Sequence, residues 1–211
     1  MTINPNQLAA ALAEVRKAYR LLQAYHRRLC DTLAAMNDVL VNGGLKFTCW
    51  APVNVDRLPR GDRPFFVADR WAWDLTPGYW TFSEWKGENK NGSVAYVRVE
   101  AIADTGYDDS SDGEPNPANF GDVERSETEL RIELWLAQTS APNWEAARQG
   151  ATSSSGMYDG QLRAIEIDRV EYTRQCFHIA IAELVDKAAV QARVVEPLER
   201  WMRNAKPRNG T

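Results

Sequence analysis

Residues 5–42 read PNQLAAALAEVRKAYRLLQAYHRRLCDTLAAMNDVLVN. Within them Leu8, Leu12, Val15, Tyr19, Leu22, His26, Leu29, Leu33, Met36 and Leu40 recur at spacings that alternate between four and three, an unbroken heptad seam. Asn4 is placed to cap this helix, Pro5 suits its first position, and Gln7 stands where a capping box wants an acceptor. No Gly or Pro follows until Gly43, which marks the stop. One helix of this length spans roughly 55 Å at 1.5 Å per residue. A compact chain of this size is only about 45 Å across, so the rod is expected to overhang the body.

Outward from the helix, residues 45–172 read as strands. Phe47–Val53, Phe65–Leu75 and Tyr79–Lys86 are rich in aromatic and β-branched residues, with Thr76-Pro77-Gly78 as a turn between the last two. Gly87–Gly92 reads as a hairpin loop into Ser93–Ala103, where Ala95, Val97, Val99 and Ala101 share one face and Arg98 and Glu100 the other. Leu130, Ile132, Leu134 and Leu136 alternate with Arg131 and Glu133 in the same way, as in an antiparallel sheet with one face buried. Gln161–Tyr172 is read as a sixth strand, its change of parity assigned to a bulge near Asp168. A short helix is expected over Pro142–Gln149. A second amphipathic helix is expected over 173–204, capped by Thr173 and broken near Pro197. The expectation is one α+β domain over 1–211: long N-terminal and C-terminal helices packed on an antiparallel sheet of about five or six strands.

Charge is uneven. Of 29 acidic residues, nine fall between Asp104 and Glu129 beside a single base, Arg125; the rest of the chain carries 24 basic against 20 acidic residues. A uniformly basic nucleic-acid footprint is therefore absent, although a local basic face remains compatible with the sequence. The acidic loop 104–127 is too long for an ordinary connection. Its Asp108, Ser110, Asp112 and Gly113 match the first half of a calcium loop, but Asn119 stands where a bidentate acid is needed. The loop is read instead as solvated charge, with Asp108, Asp109, Asp112 and Glu114 able to mimic phosphate against a basic partner. Cys30, Cys49 and Cys176 are odd in number and far apart in sequence, which favours free thiols and a cytoplasmic location. No apolar run is long enough to span a bilayer. Arginine outnumbers lysine 19 to 6, a bias associated with GC-rich bacterial or phage genomes.

Three functional readings arise from side-chain chemistry. Glu84-Trp85-Lys86 on one strand, with Asp74 on the strand before it, resembles the site of the PD-(D/E)XK nucleases. That resemblance implies metal-dependent cleavage of nucleic acid, with Asp74 and Glu84 as metal ligands and Lys86 beside the attacking water. Trp71 and Trp73 share a strand face and could form an aromatic platform for a ligand or a base. Trp135 has parity opposite to Leu134 and Leu136 and is expected to point away from the main core, toward a loop, a partner or solvent. No P-loop, dinucleotide fingerprint or paired CxxC is present, and no cofactor or metal is expected. The leading expectation is a non-enzymatic protein–protein interaction module: an inhibitor, immunity-type factor or assembly factor. Its binding residues would be Trp135, Trp71, Trp73 and the acidic loop, with a possible homodimer through Leu12, Tyr19, His26 and Leu33. The nuclease and the aromatic-platform binder stand as alternatives.

Overall fold

The computed structural model describes residues 4–52, 80–90, 92–106, 120–137, 142–151 and 158–204. Helix α1 (Pro5–Asn42) is continuous, as the seam requires; the Asn4 side chain accepts a hydrogen bond from the Asn6 N–H (3.0 Å), and Gly43 closes the other end. The next residue, Gly44, has φ +108°, and a Cβ there would lie 2.6 Å from the Glu88 carbonyl oxygen. Glycine is therefore needed at this corner on two counts, backbone conformation and close approach.

The chain then builds a six-stranded antiparallel sheet in the order β1-β2-β3-β4-β6-β5. Its strands are β1 (Lys46–Pro52), β2 (Trp80–Glu88), β3 (Val94–Ile102), β4 (Glu129–Ala137), β5 (Asp159–Ile167) and β6 (Val170–Ala180). Helix α2 (Trp144–Ala151) lies between β4 and β5 in sequence. After β6 come a 3-10 turn (Ile181–Glu183) and α3 (Lys187–Val190), which passes through a π-helical turn (Gln191–Val195) into α4 (Glu196–Asn204). The disturbance expected from Pro197 thus sits one turn before it, as a π-helical widening of the backbone.

Two expectations need correction. Gln161–Tyr172 is not one bulged strand but the junction of β5 and β6, with Ile167 paired to Val170 across a two-residue turn. Asp168 (φ 51°) and Arg169 (φ 64°) are both left-handed, the conformation that a tight hairpin demands. The parity change is the turn itself. Consequently the segment from Thr173 to Ala180 is strand, not helix, and the C-terminal helix begins only at Lys187, capped by the Asp186 side chain on the Ala189 N–H (2.8 Å). Arg169→Gly is expected to stabilise the protein by about 1 kcal/mol by removing the Cβ strain of a left-handed residue, raising Tm by roughly 2–4 °C in a thermal melt.

The main core lies between one sheet face and the helices. Trp85, Val97, Val99, Leu130, Ile132 and Leu134 meet Met36 and Leu40 of α1, then Val194, Leu198 and Trp201 of the C-terminal segment. The opposite face is also buried, contrary to the expectation of a solvated side. Tyr96, Trp135 and Tyr172 form a second cluster with Ala147 of α2. The expected strand Phe65–Leu75 and the turn at 76–78 lie outside the described residues. Of the acidic loop, only the ends are described. They are tied together by Thr105 N–H to Glu127 O (2.9 Å) and Gly121 N–H to Gly106 O (2.8 Å). Among the described residues, no helix is long and apolar enough to cross a membrane.

Candidate functional site

Side chains of two kinds were singled out by the sequence: polar groups on the second sheet face, and apolar groups along α1. The antiparallel register assembles the polar ones. Glu84, Arg98 and Glu133 are direct neighbours across β2, β3 and β4, and the next rank places Glu100 beside Arg131. Alternating sign in both directions lets each charge meet its opposite.

Each of the four buried glutamates of this face is hydrogen-bonded or ion-paired, and Glu84, Glu100 and Glu133 are so through both carboxylate oxygens. Glu84 Oε1 accepts from the Tyr96 hydroxyl (2.7 Å) and Arg98 Nη1 (3.0 Å), while its Oε2 lies 3.1 Å from Lys86 Nζ. Arg98 also donates from Nε to Glu100 Oε1 (2.7 Å), and Trp80 Nε1 donates to Glu100 Oε2 (3.1 Å). Glu133 accepts from Arg174, Tyr158 and Trp135 at 2.9, 3.2 and 3.2 Å. Glu129 is held by Arg131 Nε (2.6 Å) and faces His178 Nδ1 (3.3 Å). Pairing of this completeness is what permits carboxylates to sit at a few per cent exposure.

The same geometry bears on catalysis. Burial pushes the Glu84 pKa up, but donation from Tyr96, Lys86 and Arg98 outweighs it and holds the carboxyl below its ordinary range. Glu84 and Lys86 do share a face, as the nuclease resemblance asks, yet they are committed to each other. Arg148 also stands 4.0 Å from the same carboxylate, so a divalent cation would enter a field already dominated by cations. Asp74, the other ligand in that reading, lies outside the described residues. Burial raises the thiol of Cys176 to about 12, with Glu133 adding to the shift, and burial also raises Cys49. Neither thiol is an activated nucleophile. Among the described residues, no group of His, Cys, Asp and Glu is arranged to hold a metal.

Of the expected binding residues, Trp135 turns away from the main core but is fully buried, not offered to a partner. Its ring meets Tyr172 edge-on at 6.1 Å, and the Arg174 guanidinium lies 4.8 Å from its centre. Trp71, Trp73, Asp108, Asp109, Asp112 and Glu114 lie outside the described residues.

The apolar candidates behave differently. Leu12 and Tyr19 are exposed, as are Leu8, Val15 and Leu22 on the same seam, at 41–57%. Among the described residues, nothing covers the apolar edge of α1 before Tyr25. His26 and Leu33 continue the seam into an open groove of about 630 Å³ between α1 and the β1–β2 edge. Trp85 forms part of its lining, fixed by Nε1 donation to Asn37 Oδ1 (3.0 Å), while Phe47 and Trp50 add aromatic walls on β1. Residues three apart on a strand would ordinarily face opposite ways. Here a register shift between Phe47 and Cys49 puts both aromatics on the groove side. Cys49 is turned to the other face, with its Sγ 3.7 Å from Glu84 Oε2. Sequence reading missed this pair because a bulge has no period of its own; the Phe-Thr-Cys-Trp run carried only the strand signal.

A family model described as PM0109 matches residues 5–206. Neither a curated protein nor a solved structure matches the chain.

Proposed function

The chain belongs to the PM0109 family, and we propose that it is a non-enzymatic protein–protein interaction module whose docking element is the projecting half of α1. The observation that carries this reading is the seam from Leu8 to Leu22, exposed along one edge of a helix and outside both apolar clusters of the described residues. A helical arm without a mate is only marginally stable in water, and heptad spacing is the pattern that recruits another helix. The cations and donors gathered on Glu84 (Tyr96, Lys86 and Arg98, with Arg148 nearby) disfavour a divalent cation at that carboxylate, which favours the non-enzymatic reading over the nuclease one. Among inhibitor, immunity-type and assembly roles, a rod held away from its body suits assembly best. The three free thiols accord with a reducing, cytoplasmic setting.

Hydrogen exchange on the full chain tests the reading. Under working conditions the amides of residues 8–22 are expected to be protected. In a Leu12→Glu/Leu22→Glu variant that protection should fall at least about tenfold, corresponding to roughly 1.4 kcal/mol of lost docking. Protection in β3 and β4 should be unchanged. Free exchange of residues 8–22 in the wild type, both alone and in cell extract, would overturn the proposal. So would Mg²⁺-dependent cleavage of DNA or RNA that is abolished by Glu84→Ala.

A further inference from the structure

We propose that the mate of this arm is a second copy of the chain. Two α1 helices pair antiparallel, so that residues 8–15 of each lie along the His26–Leu33 groove of the other, and Tyr19 and Leu22 of the two copies meet between them. The inference rests on the docking-arm reading and names its partner.

The heptad pattern supplies the register. Counting from Leu12, positions 12, 19, 26 and 33 are of one core type and 8, 15, 22 and 29 of the other. In an antiparallel pair the two types face each other. A two-fold axis between Arg20 and Leu21 achieves this for every layer: Leu8 on Leu33, Leu12 on Leu29, Val15 on His26, Tyr19 on Leu22. Residues 8–15 and 26–33 are thus mirror lengths of one seam about the Tyr19–Leu22 pair, the self-complementarity that a closed dimer demands.

Charge and shape agree with this arrangement. The seam and its flanks from Leu8 to Cys30 carry one formal charge, Arg16, which this register sets against Gln23 of the second copy. A parallel pair would instead bring both Arg16 residues level. It would also bring both bodies to the same end, where Met36 and Leu40 are already buried against their own sheet. Ala9, Ala11 and Ala18 beside the seam permit close approach of the helices. At the far end, Leu8 and Leu12 arrive where Phe47 and Trp50, 50% and 57% exposed, flank the groove. Seam and flank positions over residues 8–33, together with these two aromatics, approach the roughly 20 residues a side of stable interfaces.

Ala9→Cys provides a test specific to the register. The native Cys30 lies 21 positions further along the same helix, about 31 Å away, far beyond the roughly 7 Å limit for a disulfide. Antiparallel pairing makes the two positions neighbours on opposite copies. The purified wild type is expected to have the mass of a dimer in sedimentation at micromolar concentration. The Ala9→Cys chain, mildly oxidised, should become a covalent dimer whose linked peptides join 9 to 30. Adding Leu12→Glu/Leu22→Glu should abolish both results. A monomer at about 100 µM, or linkage of 9 to 9 or 30 to 30 only, would overturn the proposal. If the protein is a monomer whose residues 8–22 gain protection only in cell extract, the self-pairing is wrong and the docking arm stands. If they are unprotected everywhere, both fall.

Discussion

Arg98→Ala is expected to destabilise the protein by roughly 3–5 kcal/mol, because it strands buried carboxylates rather than merely removing a contact. Arg98 is 4% exposed and is the shared counter-ion of Glu84 and Glu100, with its guanidinium 3.8 Å from the Phe82 ring centre. Among the described residues, truncation leaves Glu100 with the Trp80 indole alone, and Glu84 with Tyr96, Lys86, the more distant Arg148 and the Cys49 thiol. At about 2–4 °C per kcal/mol for a chain of this size, the thermal midpoint should fall by roughly 6–20 °C. Acid titration gives an independent reading. In the wild type the Glu84 carboxyl is held below its ordinary value of 4.5. Its stabilising contribution is therefore complete above that pH and lost as pH falls through the lower native value. Without Arg98, burial is less opposed, so the loss begins at higher pH and the acid-unfolding midpoint moves up. A variant with an unchanged melt and an unchanged acid limb would show that the ion pairs around Arg98 are solvated and contribute little.

Trp135→Ala is expected to cost about 3–5 kcal/mol, the usual consequence of emptying a buried indole site. The cavity would open beneath α2, where Trp144 stacks on Tyr96 at 5.4 Å, and Glu133 would lose its indole donor. Chemical denaturation should show the drop at unchanged slope. Trp50→Ala provides the contrast. That ring is largely exposed on the groove wall, so the monomer's stability should change by less than about 1 kcal/mol, while docking of the α1 arm weakens. If Trp135 were instead a partner contact, the two variants would exchange their phenotypes.

Both predictions lie on features that were only partly legible in the chain. The alternation of Arg98 with Val97 and Val99, and of Glu133 with Ile132 and Leu134, identified two-faced strands. That pattern says which side chains share a face, but not what becomes of the polar face. Burial of that face depends on matching charges across neighbouring strands, and the match exists only once β2, β3, β4 and β6 are in register. The same limit explains the C-terminal correction. Phe177, Ile181 and Leu184 suit a helix by spacing, and Thr173 could cap one. The long pairing with β4 overrides that spacing, because a helix there would leave the backbone groups along that edge of β4 without partners.

By itself the sequence determined what depends on neighbours a few residues apart: an uninterrupted helix over 5–42 with its seam and caps, the alternation of the strands, and the α+β class. Such features follow from local periodicity, which a chain carries wherever it folds. Tertiary structure alone decided that Trp135 is interior, that Glu84 is committed to Arg98 and Lys86, and that Phe47 and Trp50 share a groove with the α1 seam. Each of these depends on strand register or on a bulge. Both are set by contacts between residues distant in sequence, for which no short stretch holds the information.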